Sequence, residues 1–231
     1  GFYGSALRVL TPATVQTLQA DVRMTAYTVP ANGTTQLRLR GNYYNDGTTG
    51  PGATGDVRAE LYLRGAAGGT VDIQYHVYKC ATADCMTLPT PYVEVIPPTT
   101  LRTTALNVVH TLAIGWNGSV FTFSVDGADT VVDPHLAQPI VKATPNVPDK
   151  LLSAQLVMAA PGGEGSVSGD FDDIYVNGTL YDDFDGAPYS GPRLDPARWA
   201  GDLLDLVRES SGGRLVAKAA AAGTVGTNMW S

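Results

Sequence analysis

The chain is poor in charged residues and in histidine and cysteine, the residue types that most often hold zinc. Charged residues make up 16% of its 231 residues, which is well below the usual share in soluble domains. Its three histidines, His76, His110 and His135, show no metal-ligand spacing. No apolar run approaches the roughly 18 residues of a membrane span. These absences argue against a zinc site and against insertion into a membrane.

Basic residues are also scarce, and this limits the classes of partner. The formal net charge is -7, from 22 acidic and 15 basic residues. Nucleic acids and anionic membranes both require a basic surface, so neither is an expected partner. The 26 glycines and 15 prolines favour many short strands and tight turns. Because neither an initiator Met nor a signal peptide precedes the folded pattern, we expect a mature product, a fragment or one repeat of a longer protein.

The only two cysteines, Cys80 and Cys85, lie close together in the chain. Two thiols are too few for a structural zinc site, which needs four ligands. We therefore expect a disulfide that closes a loop between two strands. Such a bond indicates an oxidising setting, so we expect the protein to be secreted, extracellular or at the cell surface. Two free thiols are the alternative.

Alternation of apolar and polar residues recurs along the chain, and long helical patterns are nearly absent. Residues 35–40, for example, alternate as a half-buried strand does. Residues 108–114 and 120–125 form two further candidate strands, and between them lies Asn117-Gly118, a strong hairpin-turn signal. Many short strands of this kind predict an all-β sandwich.

Several motifs resemble parts of a concanavalin A-like (LamG/laminarinase-type) jelly roll, but in rotated order. Motifs within residues 182–216, such as Asp182-Asp183-Phe184, are similar to the start of that fold. Residues 110–127 resemble its central hairpin, and residues 169–178 resemble its closing strand. The resemblance implies a concanavalin A-like β-sandwich in circularly permuted or strand-donating order.

The rotated order predicts two parts of the chain. Residues 1–181 form the main body of the sandwich, and residues 182–231 supply the first strands of the next sandwich. Strand donation covers exposed sheet edges, and a head-to-tail contact that does not close generates a filament. We therefore expect an extracellular structural protein that forms filaments or tandem-repeat fibres with copies of itself. A carbohydrate-binding or adhesive surface module, with glycans as partners, is the alternative, and a degenerate glycosidase is a third reading.

Catalytic patterns are missing from the sequence, which predicts that the chain is not an enzyme. Glycosidases of the resembled fold carry a Glu-x-Asp-x-x-Glu strand, and no such pattern occurs here. Retaining glycoside hydrolysis needs two carboxyl groups about 5 Å apart. The glutamates are scattered over different elements: Glu60, Glu94, Glu164 and Glu209.

An acidic cluster is the best candidate for a site. Six aspartates occur between positions 170 and 185, and carboxylates so close together repel one another unless they are solvated or bridged by a cation. Ca²⁺ prefers hard oxygen ligands, and the resemblance implies a structural calcium held by the last strand and by backbone carbonyls near an early one. The candidate ligands are Asp170, Asp172, Asp183, Gly41 and Asn42. A solvated acidic turn without metal is the alternative.

Two adjacent tyrosines are candidates for binding sugar. Tyr43 and Tyr44 stand at a strand end, next to Asn45 and Asp46. Sugar sites in folds of this kind combine stacked aromatic rings with Asn and Asp side chains. Packing of both rings in the core or at its rim is the alternative.

Overall fold

A computed structural model describes residues 2–87, 90–135, 139–158, 164–185, 195–200, 206–209 and 213–221. Over these residues the chain forms two antiparallel β-sheets around a shared core, with two single-turn 3-10 helices at Pro12–Thr14 and Ala67–Gly69. Within the same ranges, no helix has the length and apolar character needed to cross a membrane.

The strands are numbered in chain order. They are β1 (Phe2–Val9), β2 (Thr17–Thr28), β3 (Gly33–Asn45), β4 (Asp56–Gly65), β5 (Thr70–Cys80), β6 (Tyr92–Ala105), β7 (Val109–Trp116), β8 (Phe121–Val125), β9 (Ala128–Val132), β10 (Lys150–Met158), β11 (Gly165–Val176), β12 (Thr179–Asp182), β13 (Trp199–Ala200), β14 (Leu206–Glu209) and β15 (Arg214–Ala221).

The first sheet has seven strands in the order β13-β1-β10-β3-β4-β5-β6. The second has eight in the order β14-β15-β11-β2-β7-β8-β9, and β12 pairs with β11. Neighbouring strands in the chain are often not neighbours in a sheet, so the connections cross between the two layers. The prediction of an all-β sandwich is confirmed.

The core lies between the sheets because successive side chains of a strand point to opposite faces. In β2 the buried positions alternate along the strand, and Leu18, Val22 and Met24 are among them. Phe121 and Phe123 of β8 fill the centre and are fully buried. Apolar burial of this kind is the main favourable contribution to folding.

Strands β3, β4 and β5 depart from simple alternation because nearly all of their residues are buried. Leu37 and Leu39 belong to the core cluster. Arg38 lies between these two leucines and Arg40 follows the second. Both arginines point to the opposite face of the sheet, yet only 7% and 8% of their surfaces are exposed. The outer face of the first sheet is therefore polar and also sheltered from solvent.

The C-terminal strands pair with strands of the same chain. β13 pairs with β1, and β15 pairs with β11. The buried Asp182 accepts a hydrogen bond from the Trp199 indole at 2.5 Å and lies 3.3 Å from an Arg198 nitrogen. These contacts complete the sandwich within one chain, whereas donation of residues 182–231 to a neighbouring copy stays a prediction.

Parts of that predicted segment lie outside the described residues, namely 186–194, 201–205, 210–212 and 222–231. Leu194, which contributes to the jelly-roll resemblance, is among them.

Candidate active-site groove

The outer face of the first sheet carries a groove with a volume of about 270 Å³. Its floor is made by β10, β3, β4 and β5, and residues of β6 and of the loop after β5 form one side. The pairing register sets the residues on this face of the four strands in cross-strand rows. The first row holds Gln155, Gln36, Arg64 and Asp72; the second Ser153, Arg38, Tyr62 and Gln74; the third Arg40, Glu60 and His76; the fourth Asn42, Arg58 and Tyr78. Consecutive rows lie two residues, or roughly 7 Å, apart along the strands.

Glu60 is the central anion of the groove. Its Oε1 accepts hydrogen bonds from Arg38 Nη1 at 2.8 Å and from the Tyr78 hydroxyl at 2.7 Å. Burial alone raises the pKa of Glu60, but the attraction of Arg38 and of Arg40 outweighs burial and holds the pKa below its ordinary value. Glu60 is therefore ionised at neutral pH and serves as a fixed counter-charge.

His76 lies beside Glu60 in the third row and has a free ring nitrogen. Its Nε2 is buried without a hydrogen-bond partner and lies 3.9 Å from the nearest oxygen of Glu94. Burial lowers the pKa of His76 below 6.5, against the opposing attraction of Glu60 and Glu94. The imidazole is thus neutral at pH 7. The rings of Tyr78 and Tyr92 lie 4.8 Å and 5.9 Å from it.

Five buried polar atoms in the groove have no hydrogen-bond partner among the described residues. They are Gln36 Oε1, Gln155 Oε1, Arg40 Nε, Arg64 Nε and His76 Nε2. A buried polar atom without a hydrogen bond costs about 1–3 kcal/mol, so native proteins contain few of them. Their concentration in one groove indicates a surface that is completed by a polar ligand or by water.

The groove is more basic than the rest of the protein. Four arginines and two glutamates are among its lining residues: Arg38, Arg40, Arg58, Arg64, Glu60 and Glu94. At its edge, Asp149 pairs with Arg40 at 3.0 Å and with Arg8 at 3.4 Å. An excess of positive charge in a chain of net charge -7 favours an anionic ligand at this place.

The predicted disulfide is confirmed, and it helps to shape the groove. Cys80 ends β5 and is bonded to Cys85. Both Cys85 and the following Met86 line the groove. Asp84 accepts hydrogen bonds from the backbone N–H groups of Met86 at 2.9 Å and Thr87 at 3.0 Å. The bond and this turn therefore fix Met86 on the groove wall.

A second buried acid positions the chain segment on the opposite side of the groove. Asp56, which is fully buried, accepts hydrogen bonds from the backbone N–H groups of Asn146 at 2.6 Å and Val147 at 2.9 Å. The Val147 carbonyl in turn accepts a bond from the Asn42 side chain at 2.7 Å. These contacts place the segment that carries Asp149 against Arg40.

The two tyrosines predicted to bind sugar are in the core instead. Tyr43 and Tyr44 are 4% and 0% exposed. Tyr44 stacks on Trp116 with ring centroids 4.9 Å apart, and Tyr43 meets Phe121 edge-on at 5.3 Å. The prediction of sugar stacking by this pair is wrong because β3 turns both rings inward, and the alternative of core packing holds.

The predicted calcium ligands are not brought together. Asp170 accepts hydrogen bonds from Arg23 at 2.6 Å and Arg214 at 3.0 Å, and Asp172 lies 3.3 Å from Arg214. These arginines relieve the carboxylate repulsion that motivated the metal. Burial nevertheless raises the pKa of Asp172 to about 6. Asp183 accepts a hydrogen bond from the Asp185 backbone at 3.1 Å.

Gly41 and Asn42 belong to β3 in the other sheet. The Asn42 carbonyl, predicted as a calcium ligand, accepts a hydrogen bond from Lys150 Nζ at 2.6 Å. A side chain at Gly41 would collide with the aliphatic part of Lys150. A cation at the Asn42 carbonyl would therefore have to compete with Lys150, and binding of calcium by Gly41 and Asn42 stays a prediction. Among the described residues, no group of three or more His, Cys, Asp or Glu side chains is arranged to hold a metal ion. Calcium binding by the aspartates stays a prediction.

Three solved structures that are similar to this chain are enzymes. Scytalido-glutamic peptidase is 9% identical and aligns over 93% of this chain and 96% of its own, with a TM-score of 0.50. The κ-carrageenase of Pseudoalteromonas carrageenovora is 11% identical over 93% of this chain, with a TM-score of 0.40, and this chain spans 65% of its length. A family 16 endo-glucanase of Bacteroides ovatus is 11% identical and covers 62% of this chain and 55% of its own, with a TM-score of 0.35.

The chain therefore has a concanavalin A-like jelly-roll fold. No protein-family model matches it, and no curated protein matches its sequence. The prediction that the chain is not an enzyme is corrected by this likeness, because Scytalido-glutamic peptidase has the same fold and is an enzyme, so the missing glycosidase pattern does not exclude catalysis. The fold alone does not tell what this chain does, so that question has to be answered from the groove.

Proposed function

We propose that the groove binds an acidic polysaccharide and cleaves it at a uronate by β-elimination. The observation that carries the proposal is a neutral histidine with a free, buried ring nitrogen, set in a groove with more arginines than carboxylates. The disulfide fits a protein that meets such a polymer in an oxidising compartment. Head-to-tail assembly remains a separate prediction on which this proposal does not depend.

Binding of a polyanion follows from the charges of the floor. Arg40 has an Nε–H without a partner, and Arg58 is 5% exposed and donates from Nε to Asn42 at 2.6 Å. An arginine fork matches the planar geometry of a carboxylate, and hydrogen bonds between charged groups are stronger than neutral ones. A uronate carboxylate that binds to this floor would replace its hydrogen bonds to water with hydrogen bonds from arginines that are already held in place.

The same charges favour abstraction of a proton next to the carboxylate. Neutralising the carboxylate makes the hydrogen on C5 of the uronate more acidic, because negative charge develops on that group as the proton leaves. His76 takes the C5 proton on its free nitrogen, and the C–H electron pair forms the C4=C5 double bond. The bond between C4 and its glycosidic oxygen breaks, and that oxygen takes up a proton. The step consumes no co-reactant.

Tyr92 is the best-placed donor of the second proton. It lines the groove, it is half-buried, and its ring lies 5.9 Å from that of His76. Burial raises the pKa of Tyr92, so the hydroxyl keeps its proton at neutral pH. The Tyr78 ring is nearer to His76, but its hydroxyl already donates to Glu60.

Hydrolysis by a pair of carboxyl groups fits the groove less well. Such mechanisms require one protonated carboxyl group as the acid. Glu60 is held ionised by Arg38 and Arg40, and the other glutamate of the groove, Glu94, has a side chain that is 52% exposed. Glu60 is therefore unsuited to the role of the protonated acid.

The test is to incubate the protein with polygalacturonate and with alginate and to follow ultraviolet absorbance. The new double bond is conjugated with the carboxylate and absorbs, whereas hydrolysis creates no chromophore. We expect His76→Asn to reduce the rate by about a hundredfold or more, which is the usual contribution of a general base. The matched control is His135→Asn, which changes a histidine outside the groove and should leave the rate unchanged.

The pH dependence provides a second readout. The pKa of His76 lies below 6.5, so the rate should be high at neutral pH. It should fall only in acid, as the pH drops through the pKa of His76. The proposal is overturned if neither polymer is cleaved, if His76→Asn is as active as the wild type, or if new reducing ends appear without absorbance.

A further inference from the structure

The first cross-strand row forms one end of the groove floor and contains two glutamine amides with free carbonyl oxygens. Gln155 of β10 and Gln36 of β3 are paired in register and are 3% and 9% exposed. Their Oε1 atoms are buried and have no hydrogen-bond donor. Both amides point to the groove side of the sheet and contribute to its lining. Two adjacent unfilled acceptors at this depth suit the hydroxyl groups of a bound sugar.

Arg64 is the arginine of this row and lies between Gln36 of β3 and Asp72 of β5. Arg38 pairs with Glu60, Arg40 pairs with Asp149, and Arg58 donates to Asn42. Arg64 has no ion pair among the described residues, and its Nε–H is buried without an acceptor. Arg64 therefore keeps a buried donor without an acceptor among the described residues, and a carboxylate can accept two hydrogen bonds from one guanidinium group.

We infer that Gln36, Gln155 and Arg64 form a second sugar subsite, which binds the acid group of another uronate in the same polymer. The inference rests on the proposed function of the groove and adds the class of substrate to it. Along β4, Arg64 lies four residues from Glu60, which neighbours His76, and four residues of a strand span roughly 13 Å. An oligosaccharide of several sugars is needed to reach both places.

The two subsites together select for a polyuronate. A polymer with an acid group on every sugar presents one to Arg64 whichever bond lies beside His76. A glycan with an isolated uronate fills the place beside His76 and leaves Arg64 and the two amides unpaired, which costs affinity. The subsite therefore acts on binding, at a distance from the atoms that react.

The test measures binding by calorimetry in the His76→Asn background, where the probe is not cleaved. The probes are a disaccharide and a hexasaccharide of galacturonate. We expect Arg64→Gln to weaken hexasaccharide binding about tenfold or more, the usual effect of losing a charged hydrogen bond. Binding of the disaccharide should not change, because it reaches only one subsite. Arg102→Gln, which removes an exposed arginine outside the groove, is the matched control.

Gln155→Glu provides an independent variant on another strand. The new carboxylate has nearly the same shape, competes for Arg64, and should weaken hexasaccharide binding to a similar extent. The ratio of KM values for the hexasaccharide and a trisaccharide gives the same comparison in the active protein. Melting curves of each variant show whether it is folded.

The outcomes separate this inference from the proposed function. If the wild type cleaves polyuronates and both variants bind the hexasaccharide as well as the His76→Asn parent does, the second subsite is wrong and the function stands. If neither probe binds and no polyuronate is cleaved, the function itself is wrong. A loss of disaccharide and hexasaccharide binding in equal measure also overturns the inference, because Arg64 would then belong to the first subsite.

Discussion

Replacing Glu60 with Gln should destabilise the protein strongly, even though the new side chain has almost the same size. Glu60 is 4% exposed and is the direct partner of Arg38, which is 7% exposed. The amide carbonyl of the substituted side chain could still accept the Tyr78 hydroxyl, so one hydrogen bond is retained. What is lost is the negative charge between Arg38 and the nearby Arg40.

The magnitude follows from the buried positive charge that remains. Removing one partner of a buried ion pair typically costs about 3–5 kcal/mol, since the other charge stays desolvated and uncompensated. Because Tyr78 keeps its acceptor, we expect about 3 kcal/mol. For a protein of this size, each kcal/mol shifts the melting temperature by about 2–4 °C, so the expected decrease is about 6–12 °C.

The assay is urea unfolding followed by tryptophan fluorescence at pH 7, repeated at decreasing pH. The pKa of Glu60 is lower in the folded state than its ordinary value of 4.5. Its contribution is therefore complete above that value and is lost as the pH falls through the folded pKa. The difference between wild type and Glu60→Gln should accordingly shrink in acid.

A double variant tests the cause. Arg38→Met combined with Glu60→Gln removes both charges, and it should be more stable than Glu60→Gln alone because no buried charge is left unpaired. The reasoning is refuted if Glu60→Gln lies within about 0.5 kcal/mol of the wild type, the range of ordinary surface substitutions. It is also refuted if the double variant loses as much as the two single changes added together.

Two further predictions concern the groove wall and the C-terminal segment. Replacing Cys80 and Cys85 with Ala should lower the free energy of unfolding by about 2 kcal/mol, since the bond closes only a small loop, and denaturation curves of both forms measure this. Alkylation of the unreduced wild type should add no groups, and uptake of two groups would contradict the bond. Asp182→Asn weakens the contacts with Arg198 and Trp199, so proteolysis within residues 195–200 should become faster while the molar mass by light scattering stays that of the wild type. A change in oligomeric state would instead indicate that these residues pack on another copy.

The fold was accessible from the sequence because a strand with one apolar and one polar face leaves a period of two. The alternating pattern in residues 35–40 and the Asn117-Gly118 turn correspond to β3 and to the β7–β8 hairpin of the structure. The jelly-roll resemblance of the C-terminal motifs also led to the right architecture. Alternation does not tell whether a strand completes its own sandwich or a neighbouring one, because both arrangements bury the same face.

The groove was missed because its residues are far apart in the chain. Arg38, Glu60 and His76 come from three strands and meet only through the register of the sheet. A usable signal was present, since β3, β4 and β5 have large polar residues at most positions that face away from the core. In the sequence, Glu60 was considered only as one member of a carboxylate pair, and no second acid lies near it in the chain. The partners are arginines and a histidine, which a search for paired carboxylates passes over.

Tyr43 and Tyr44 show the opposite error. Their local pattern suggested a binding site, but in the structure both rings pack in the core. Adjacent residues of a regular strand face opposite sides, so at most one of the two could be expected inside. The register of β3 shifts between Asn42 and Tyr44, and this irregularity lets both rings join the core. A bulge of this kind is hard to read from a single sequence.

A jelly roll does not need buried charges or unpaired amides on the face of a sheet in order to be stable. Buried ion pairs can often be replaced by apolar residues of similar size without loss of stability, and sometimes with a gain. Here the outer face of the first sheet holds Arg38, Arg40 and Arg58 at 5–8% exposure and leaves the amides of Gln36 and Gln155 without donors for their carbonyl oxygens. Each of these features makes the protein without a ligand less stable than it would be with an apolar or solvated face at this place. A ligand that supplies acid and hydroxyl groups reverses these costs, which is why the arrangement is better explained by binding than by folding.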